Sequence, residues 1–479
     1  MTVSRNGRLS FWTKLTYGAG DFGLSSLSMM RSVFYAIYMT DVVGLDPRLA
    51  SFGALFGIIW DAINDPLIGI ISDRLRSRWG RRRPFLLIFA IPFGFSFVIL
   101  WSAPAWDSQI ALVLYVTLSF ALVDTLSTLV SVPYHSLTPE LTPDYDERTA
   151  LTGFRTIFQL VASLAVVITV PVIMDLALEA GLTQQQGFMI AGSMFGTIGT
   201  IAIIIIFFSI RETADAELTE TLPIGKSLRI AWSNIPFRFA VAIHLMTWSA
   251  IDMVAVILPY YLLYWMARGD MLAKVKVLGV DLALESAFFG LLMLVCILTL
   301  PFWVWFAQKR SKREALVIGM IFWVVVESLV FTVQPGQMTS LLILGALAGI
   351  GVSSAYVLPD SIFPDVIEWD EIRTRRRQEG IYYGARAFVR KLTSALVIFV
   401  TLQLLGWSGY QNPPADVTQF SQGPAALMTI RVLVSFAGAG MLLVAAIIAW
   451  WYPLSREKHA RIRQILARRK RDVGSTPEK

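Results

Sequence analysis

The sequence predicts an all-α polytopic membrane protein whose twelve transmembrane helices form two pseudo-symmetric six-helix bundles. Three observations lead there. Of 479 residues, 55% are hydrophobic and only 16% charged, where a soluble domain has about 25% charged, and the mean hydropathy is +0.61. Apolar segments long enough to cross the hydrocarbon, which takes about 20 helical residues, recur twelve times. The longest polar interval, 211–235, follows the sixth of them.

In chain order the expected spans are 15–40, 48–72, 84–102, 108–135, 151–175 and 187–210, then 237–266, 282–307, 314–333, 339–362, 382–406 and 426–452. The linkers after the second, sixth, eighth and tenth spans are basic, with Arg74 to Arg83, Arg211 with Lys226 and Arg229, Lys309 to Arg313, and Arg373 to Arg377. Linkers after the first, third, fifth, ninth and eleventh carry few basic residues. Because positive charge marks the cytoplasmic side, both termini are expected there. The loop 267–281 fits least well, with Arg268, Lys274 and Lys276 set against Asp270 and Asp281.

The domains that follow are a bundle over 1–210, a linker over 211–235 with a short amphipathic helix along the membrane face, a second bundle over 236–453 and a basic tail over 454–479. A faint repeat supports the division: the basic turn after the second span is answered by AQKRSKRE after the eighth. Paired bundles with a cavity at their interface suit alternating-access carriers.

Composition also excludes. Cys296 is the one cysteine, which rules out an internal disulfide and a cysteine metal cluster. The charge of +7 is spread between apolar spans instead of forming a basic face, so no nucleic-acid partner is expected. The start MTVSRNGRLSFW does not read as a cleaved signal. GALAGIG and GAGDFG follow no strand and suit close helix packing; with no GxxxxGK[ST] loop, no nucleotide cofactor is expected and energy must come from a gradient. No activated nucleophile accompanies His135, His244 or His459, so an enzyme is not expected.

Charges within spans cost about 2.5–3.5 kcal/mol each at mid-membrane and must face protein or a water-filled cavity. They are Asp21, Arg31, Asp61, Asp65, Asp124, Asp252, Glu285, Glu327, Asp360, Arg386, Arg390, Lys391 and Arg431. In WDAINDPLIGIISDRLRSRWGRRRP, Asp61 and Asp65 stand at i and i+4 with Asn64 beside them, so three oxygen-bearing side chains share one helical face that a cation could fill. Gating pairs are expected between Asp360 or Asp365 and Arg373–Arg377 or Arg386, with Asp73 and the Arg81 group as their counterpart. Lys391, well inside its span, can meet a carboxylate of the other bundle, meet an anionic solute, or snorkel; Arg31 has the same options.

KLTYGAGDFG, YMTDVVGL, IWDAINDPLIGIISDRLRSRWGRRRPFLL, VPYHSLTPELTPDYDERTALTGFR and LPDSIFPDVIEWDEIRTRRRQEGIYYGARAFVRKL resemble the glycoside–pentoside–hexuronide:cation symporters of the major facilitator superfamily, above all their melibiose-carrying branch. The resemblance covers both halves. It implies the major facilitator fold and a cation site on Asp61, Asn64, Asp65 and Thr128, whose oxygens suit Na⁺, with H⁺ the alternative. At the sugar-site positions it places Ser25, Ser131, His135 and Arg155, with serines where that branch has aspartates. Melibiose is therefore not expected. Arg155 and Lys391 favour a hexuronate, glucuronide or other acidic sugar derivative over a neutral glycoside.

The expected function is a secondary symporter coupling Na⁺ or H⁺ entry to solute uptake. A lysolipid or other amphiphile is the alternative solute, since animal members of the family carry lysophospholipids. A non-transporting scaffold or receptor is the alternative of another class. The expected partners are a small solute, a monovalent cation and the lipid bilayer, the working unit a monomer, and the location the bacterial cytoplasmic membrane.

Overall fold

The computed structural model describes residues 9–465, apart from 76, 143–144, 211–223, 278, 375–378, 415–416, 418, 455, 459–460 and 463. The helices are α1 (Phe11–Ile37), α2 (Pro47–Arg74), α3 (Arg83–Leu100), α4 (Gln109–Ser136), the single turn α5 (Thr138–Leu141), α6 (Tyr145–Glu179), α7 (Gln184–Ser209), α8 (Ile224–Ser233), α9 (Ile235–Tyr260), α10 (Leu284–Lys309), α11 (Lys312–Val330), α12 (Met338–Ser361), α13 (Phe363–Thr374), α14 (Glu379–Trp407), α15 (Pro424–Val432) and α16 (Gly438–Trp450). Wider π-helical turns extend α1 through Tyr38–Val42 and α9 through Tyr261–Met266, and a third, Leu433–Ala437, joins α15 to α16.

A helical run stands at every expected span. Among the described residues, nine are long and apolar enough to cross a membrane. The other three, α1, α2 and α11, are of similar length but carry charges such as Asp21 and Arg31, Asp61 and Asp65, or Glu314 and Glu327. Their polar load is what a protein-lined interior requires. The loop with balanced charge is a small antiparallel hairpin, β1 (Lys274–Val277) on β2 (Val280–Ala283), with Lys274 opposite Ala283. Lys274 Nζ reaches Glu179 Oε1 at the end of α6 at 2.7 Å. Pairing its own backbone lets this polar segment sit against the helix ends without orphaned amides.

Local chemistry sets the helix ends. Asp46 caps α2 with Pro47 in the first turn, Ser108 caps α4, and Thr183 forms a reciprocal capping box with Gln186 on α7. Outward faces are apolar: Ile91, Leu118, Phe208 and Leu298 are exposed, and Trp12, Trp407 and Trp450 stand exposed at helix ends, as expected of an interfacial belt.

Helices of the first half pack on one another, α1 on α6 and α7, α3 on α4 and α7, and α2 on α4; those of the second half do likewise, α12 on α10 and α11, α16 on α9 and α11. Contacts such as α2–α14, α6–α10 and α1–α9 join the two sets. The α1–α7 crossing depends on Gly23, where an added Cβ would lie 2.4 Å from the Gly199 Cα, closer than any side chain allows. One apolar core runs through both sets around Tyr38, Trp101, Phe188, Tyr260 and Tyr410. A second, around Phe237, Phe363 and Tyr382, belongs to the second set alone. The basic tail after Ser455 lies largely outside the described residues.

Candidate cation and solute site

Asp61, Asn64 and Asp65 project from one face of α2, the helix that packs against both α4 and α14. From α14, Lys391 places its ammonium between the two acids, with Nζ 2.7 Å from Asp61 Oδ2 and 2.5 Å from Asp65 Oδ2. The lysine thus meets carboxylates of the other half, one of the options open from sequence. Asn64 is buried, and its side-chain nitrogen has no hydrogen-bond partner. Thr128 is buried on α4. Two carboxylates with an amide beside them, and a hydroxyl on the helix packed against theirs, are the hard oxygen donors that a monovalent cation prefers, and in this state an ammonium occupies the acids.

Beside this cluster a cavity of about 360 Å³ is lined by Arg31, Asp61, Asp252, Arg390 and Lys391, with Ser28, Ser32, Tyr35 and Ser394 among the other walls. Arg390 grips Asp252 through two bonds, 2.7 and 2.8 Å, and lies 4.9 Å over the Trp248 ring. Arg31 reaches Asp124 Oδ1 at 3.4 Å and lies 4.7 Å over Phe120. In each case the aromatic ring and the carboxylate stand one helical turn apart, Phe120 before Asp124 and Trp248 before Asp252, so the arginine is stacked and paired at once. Sequence reasoning named Asp252 and Arg390 only as intramembrane charges; the repeated aromatic-x-x-x-Asp spacing was the available signal.

Of the six residues expected to bind solute, Arg31 and Lys391 line this cavity, whereas Ser25, Ser131, His135 and Arg155 do not. Arg155, read from sequence as a free anion donor, is engaged by Asp21, with Nε 2.5 Å from Oδ2. His135 Nε2 lies 3.3 Å from the other oxygen of that carboxylate. Asp21 is on α1, about two turns before Ser28, the first cavity residue of that helix, so it holds the Arg155 guanidinium and the His135 ring away from the solute space. Ser25 and Ser131 are half-buried.

The expected gating residues divide. Arg386 Nη1 bonds Asp360 Oδ1 at 2.6 Å, and His244 Nδ1 stands 3.1 Å from the same oxygen. Asp365 is met by Lys312 of α11, at 2.7 and 2.9 Å, and not by Arg386 as the sequence allowed; the same ammonium donates to the Ser361 carbonyl at 2.7 Å. Lys312 opens α11, and its reach to Asp365 on α13 is a tertiary fact with no local sign. Arg81 is half-buried ahead of α3, and the Asp73 side chain and Arg375–Arg377 fall outside the described residues.

A second polar cluster went unforeseen. Asp41, in the π-helical turn after α1, accepts hydrogen bonds from the Tyr264 and Tyr410 hydroxyls of the second half, and the Thr40 hydroxyl lies 2.7 Å from its Oδ1. Thr40 also meets the Tyr260 hydroxyl at 2.9 Å. Gln403 of α14 donates to Ser51 Oγ of α2 at 3.0 Å. Nothing in spacing links residue 41 to residues 264 and 410.

A separate, mainly apolar cleft of about 100 Å³ lies between the halves, lined by Phe34, Met174, Phe188, Leu263 and Met271 with Asp41 and Glu285 at its polar margin. Among the described residues, no group of three or more His, Cys, Asp or Glu could hold a metal ion.

Residues 16–456 match the family described as MFS/sugar transport protein. The chain is 32% identical to the uncharacterized symporter sll1374 of Synechocystis sp., across 97% of this chain and 98% of that one. It is 25% identical to the sodium-dependent lysophosphatidylcholine symporter 1 of Gallus gallus, across 98% of this chain and 92% of that one. In fold it is similar to a bacterial homolog of the human lysosomal transporter Spinster in an inward-facing, unoccupied conformation, with a TM-score of 0.64 at 12% identity over 92% of this chain and 95% of that one. The helical membrane architecture, the charged cavity between the two sets of helices and the match over nearly the whole length agree: this chain belongs to the MFS/sugar transport protein family of major facilitator membrane transporters.

Proposed function

We propose that this protein is a Na⁺-coupled symporter of an amphiphilic solute with a charged head group, working by alternating access between two six-helix halves. The observation that carries the coupling is Lys391, held between Asp61 and Asp65. A cation entering the oxygens of Asp61, Asn64, Asp65 and Thr128 displaces the ammonium. The freed Lys391 then faces the cavity, where an anionic head group satisfies it. Each ligand thereby improves the binding of the other, which is the condition for coupled transport. H⁺ is the alternative coupling ion, since either carboxylate also accepts a proton.

The amphiphile is supported by relatives named as sodium-dependent lysophosphatidylcholine symporters, and by a charged cavity and an apolar cleft on neighbouring stretches of α1, Tyr35 lining the first and Phe34 the second. An acidic sugar derivative is the second reading, favoured by the hydroxyls of Ser28, Ser32, Tyr35 and Ser394 on the same cavity wall and by the family description.

The cycle follows from the polar links between halves. Those around Asp41, Thr40 and Gln403 close one end; with both termini cytoplasmic and the protein in a bacterial cytoplasmic membrane, that end faces outward and this state opens inward. The test is uptake into proteoliposomes under an imposed Na⁺ or H⁺ gradient, with lysophospholipids and hexuronates in one panel. Na⁺-driven lysolipid uptake is expected; uptake of neither class, or uptake indifferent to both gradients, overturns the reading.

A further inference from the structure

Asp124 is the acid that the four-residue cation set leaves out. It is only 3% exposed, and its commitments are half made: Arg31 reaches Oδ1 at the long distance of 3.4 Å, while the buried Oδ2 has no hydrogen-bond partner. A buried carboxylate oxygen left without a donor keeps its full desolvation penalty, so the arrangement persists where something else satisfies it. Asp252 shows the contrast. It also meets a stacked arginine on the cavity wall, yet both its oxygens are bonded, at 2.7 and 2.8 Å.

Its position supplies the reason. Asp124 stands one turn before Thr128 on α4, so both side chains project from the same face of the helix that packs on α2. Its partner Arg31 lines the same cavity as Asp61 and Lys391. The joined cluster holds three carboxylates, Asp61, Asp65 and Asp124, against two cations, Arg31 and Lys391. That is one negative charge in excess, which a single monovalent cation neutralises. While Lys391 occupies Asp61 and Asp65, the buried carboxylate oxygen of this cluster that lacks a donor is on Asp124.

Building on the cation-coupled reading above, we infer that Asp124 is an acidic ligand of the coupling ion apart from the Asp61–Asp65 pair: its free oxygen forms the subsite where Na⁺ resides while Lys391 occupies those two acids, before the ion displaces the lysine. Hard monovalent cations take several oxygen ligands, and the number of charged ones sets affinity. The Thr128 hydroxyl on the same face would hand the ion on to Asp61 and Asp65.

The experiment is Na⁺ titration of the purified full-length protein by calorimetry at pH 8, with no solute present. Asp124→Asn is expected to weaken Na⁺ binding by about tenfold or more, and Asp124→Glu to stay within about threefold of the parent. The double variant Arg31→Gln with Asp124→Asn separates a ligand from a mere partner of Arg31, and it also removes the uncompensated arginine that could unfold the single variant. Na⁺ binding as weak in the double variant as in Asp124→Asn supports the subsite. Recovery of parental affinity there, or no change in Asp124→Asn, overturns it. Asp65→Asn is run alongside: if it abolishes Na⁺ binding while Asp124→Asn does not weaken it, the subsite fails and the coupling reading stands, whereas Na⁺ binding untouched by Asp65→Asn removes the coupling reading itself.

Discussion

Replacing Lys391 by Met keeps the length and apolar body of the side chain and deletes its charge, which isolates the competition between the ammonium and the coupling ion. Two carboxylate contacts at 2.7 and 2.5 Å are lost. Coulomb's law with an effective dielectric of about 20 gives roughly 6 kcal/mol for one such pair, and water reduces it here, since the lysine side chain is 26% exposed and the two acids 23% and 36%. Exposed pairs measure about 0–1 kcal/mol and broken buried pairs about 3–5. An intermediate 1.4–2.8 kcal/mol corresponds to about 10- to 100-fold. The sign is the informative part. If Lys391 holds the cation's place, its removal tightens Na⁺ binding by that factor while solute uptake falls to background, because the donor that links the two ligands is gone. Calorimetric Na⁺ titration at pH 8, where protons compete least, together with uptake in proteoliposomes, reads both quantities. Na⁺ affinity that is unchanged or weaker in Lys391→Met refutes the competition, whatever happens to uptake.

Three further outcomes are expected. Asp61→Asn and Asp65→Asn each remove a charged oxygen ligand and should abolish gradient-driven uptake while leaving the protein folded; residual uptake that still follows the Na⁺ gradient would contradict the assignment of these acids. Tyr264→Phe and Tyr410→Phe each delete one hydrogen bond to the Asp41 carboxylate, about 1.5–3 kcal/mol for a charged acceptor, and should shift the population towards opening at that end. A cysteine introduced near Asp41 in a Cys296→Ser background should then react at least about tenfold faster with an impermeant maleimide, and equal rates would count against a latch. Gly23→Val forces α1 away from α7, where even a Cβ would come within 2.4 Å of the Gly199 backbone; a loss of about 1–3 kcal/mol should appear as a lower midpoint in thermal unfolding of the detergent-solubilised protein, and an unchanged midpoint would show that the crossing can relax.

Much of the molecule was legible in one dimension because the bilayer imposes a length and a polarity on every crossing. Each expected span has a helix, and the ends differ by only a few residues, as where 48–72 became Pro47–Arg74 and 339–362 became Met338–Ser361. Asp61, Asn64 and Asp65 were legible together because helical periodicity places i, i+3 and i+4 on one face. The hairpin at Lys274–Ala283 was not: KVKV does alternate as a strand does, but four residues per strand between two spans are too short a run to set a sheet apart from a charged loop.

What the sequence by itself determined is therefore everything governed by transfer into lipid and by the pitch of a helix: the class of protein, the spans, the intramembrane charges and the acidic face of α2. Only the tertiary structure decided which charge answers which. It set Lys391 between Asp61 and Asp65 across 326 residues of chain, turned Arg155 aside to Asp21, gave Asp365 to Lys312 and joined Asp41 to Tyr264 and Tyr410. Charge pairs in a low-dielectric interior are chosen by distance in space, and the sequence separation between partners carries no information about that distance until the helices have packed.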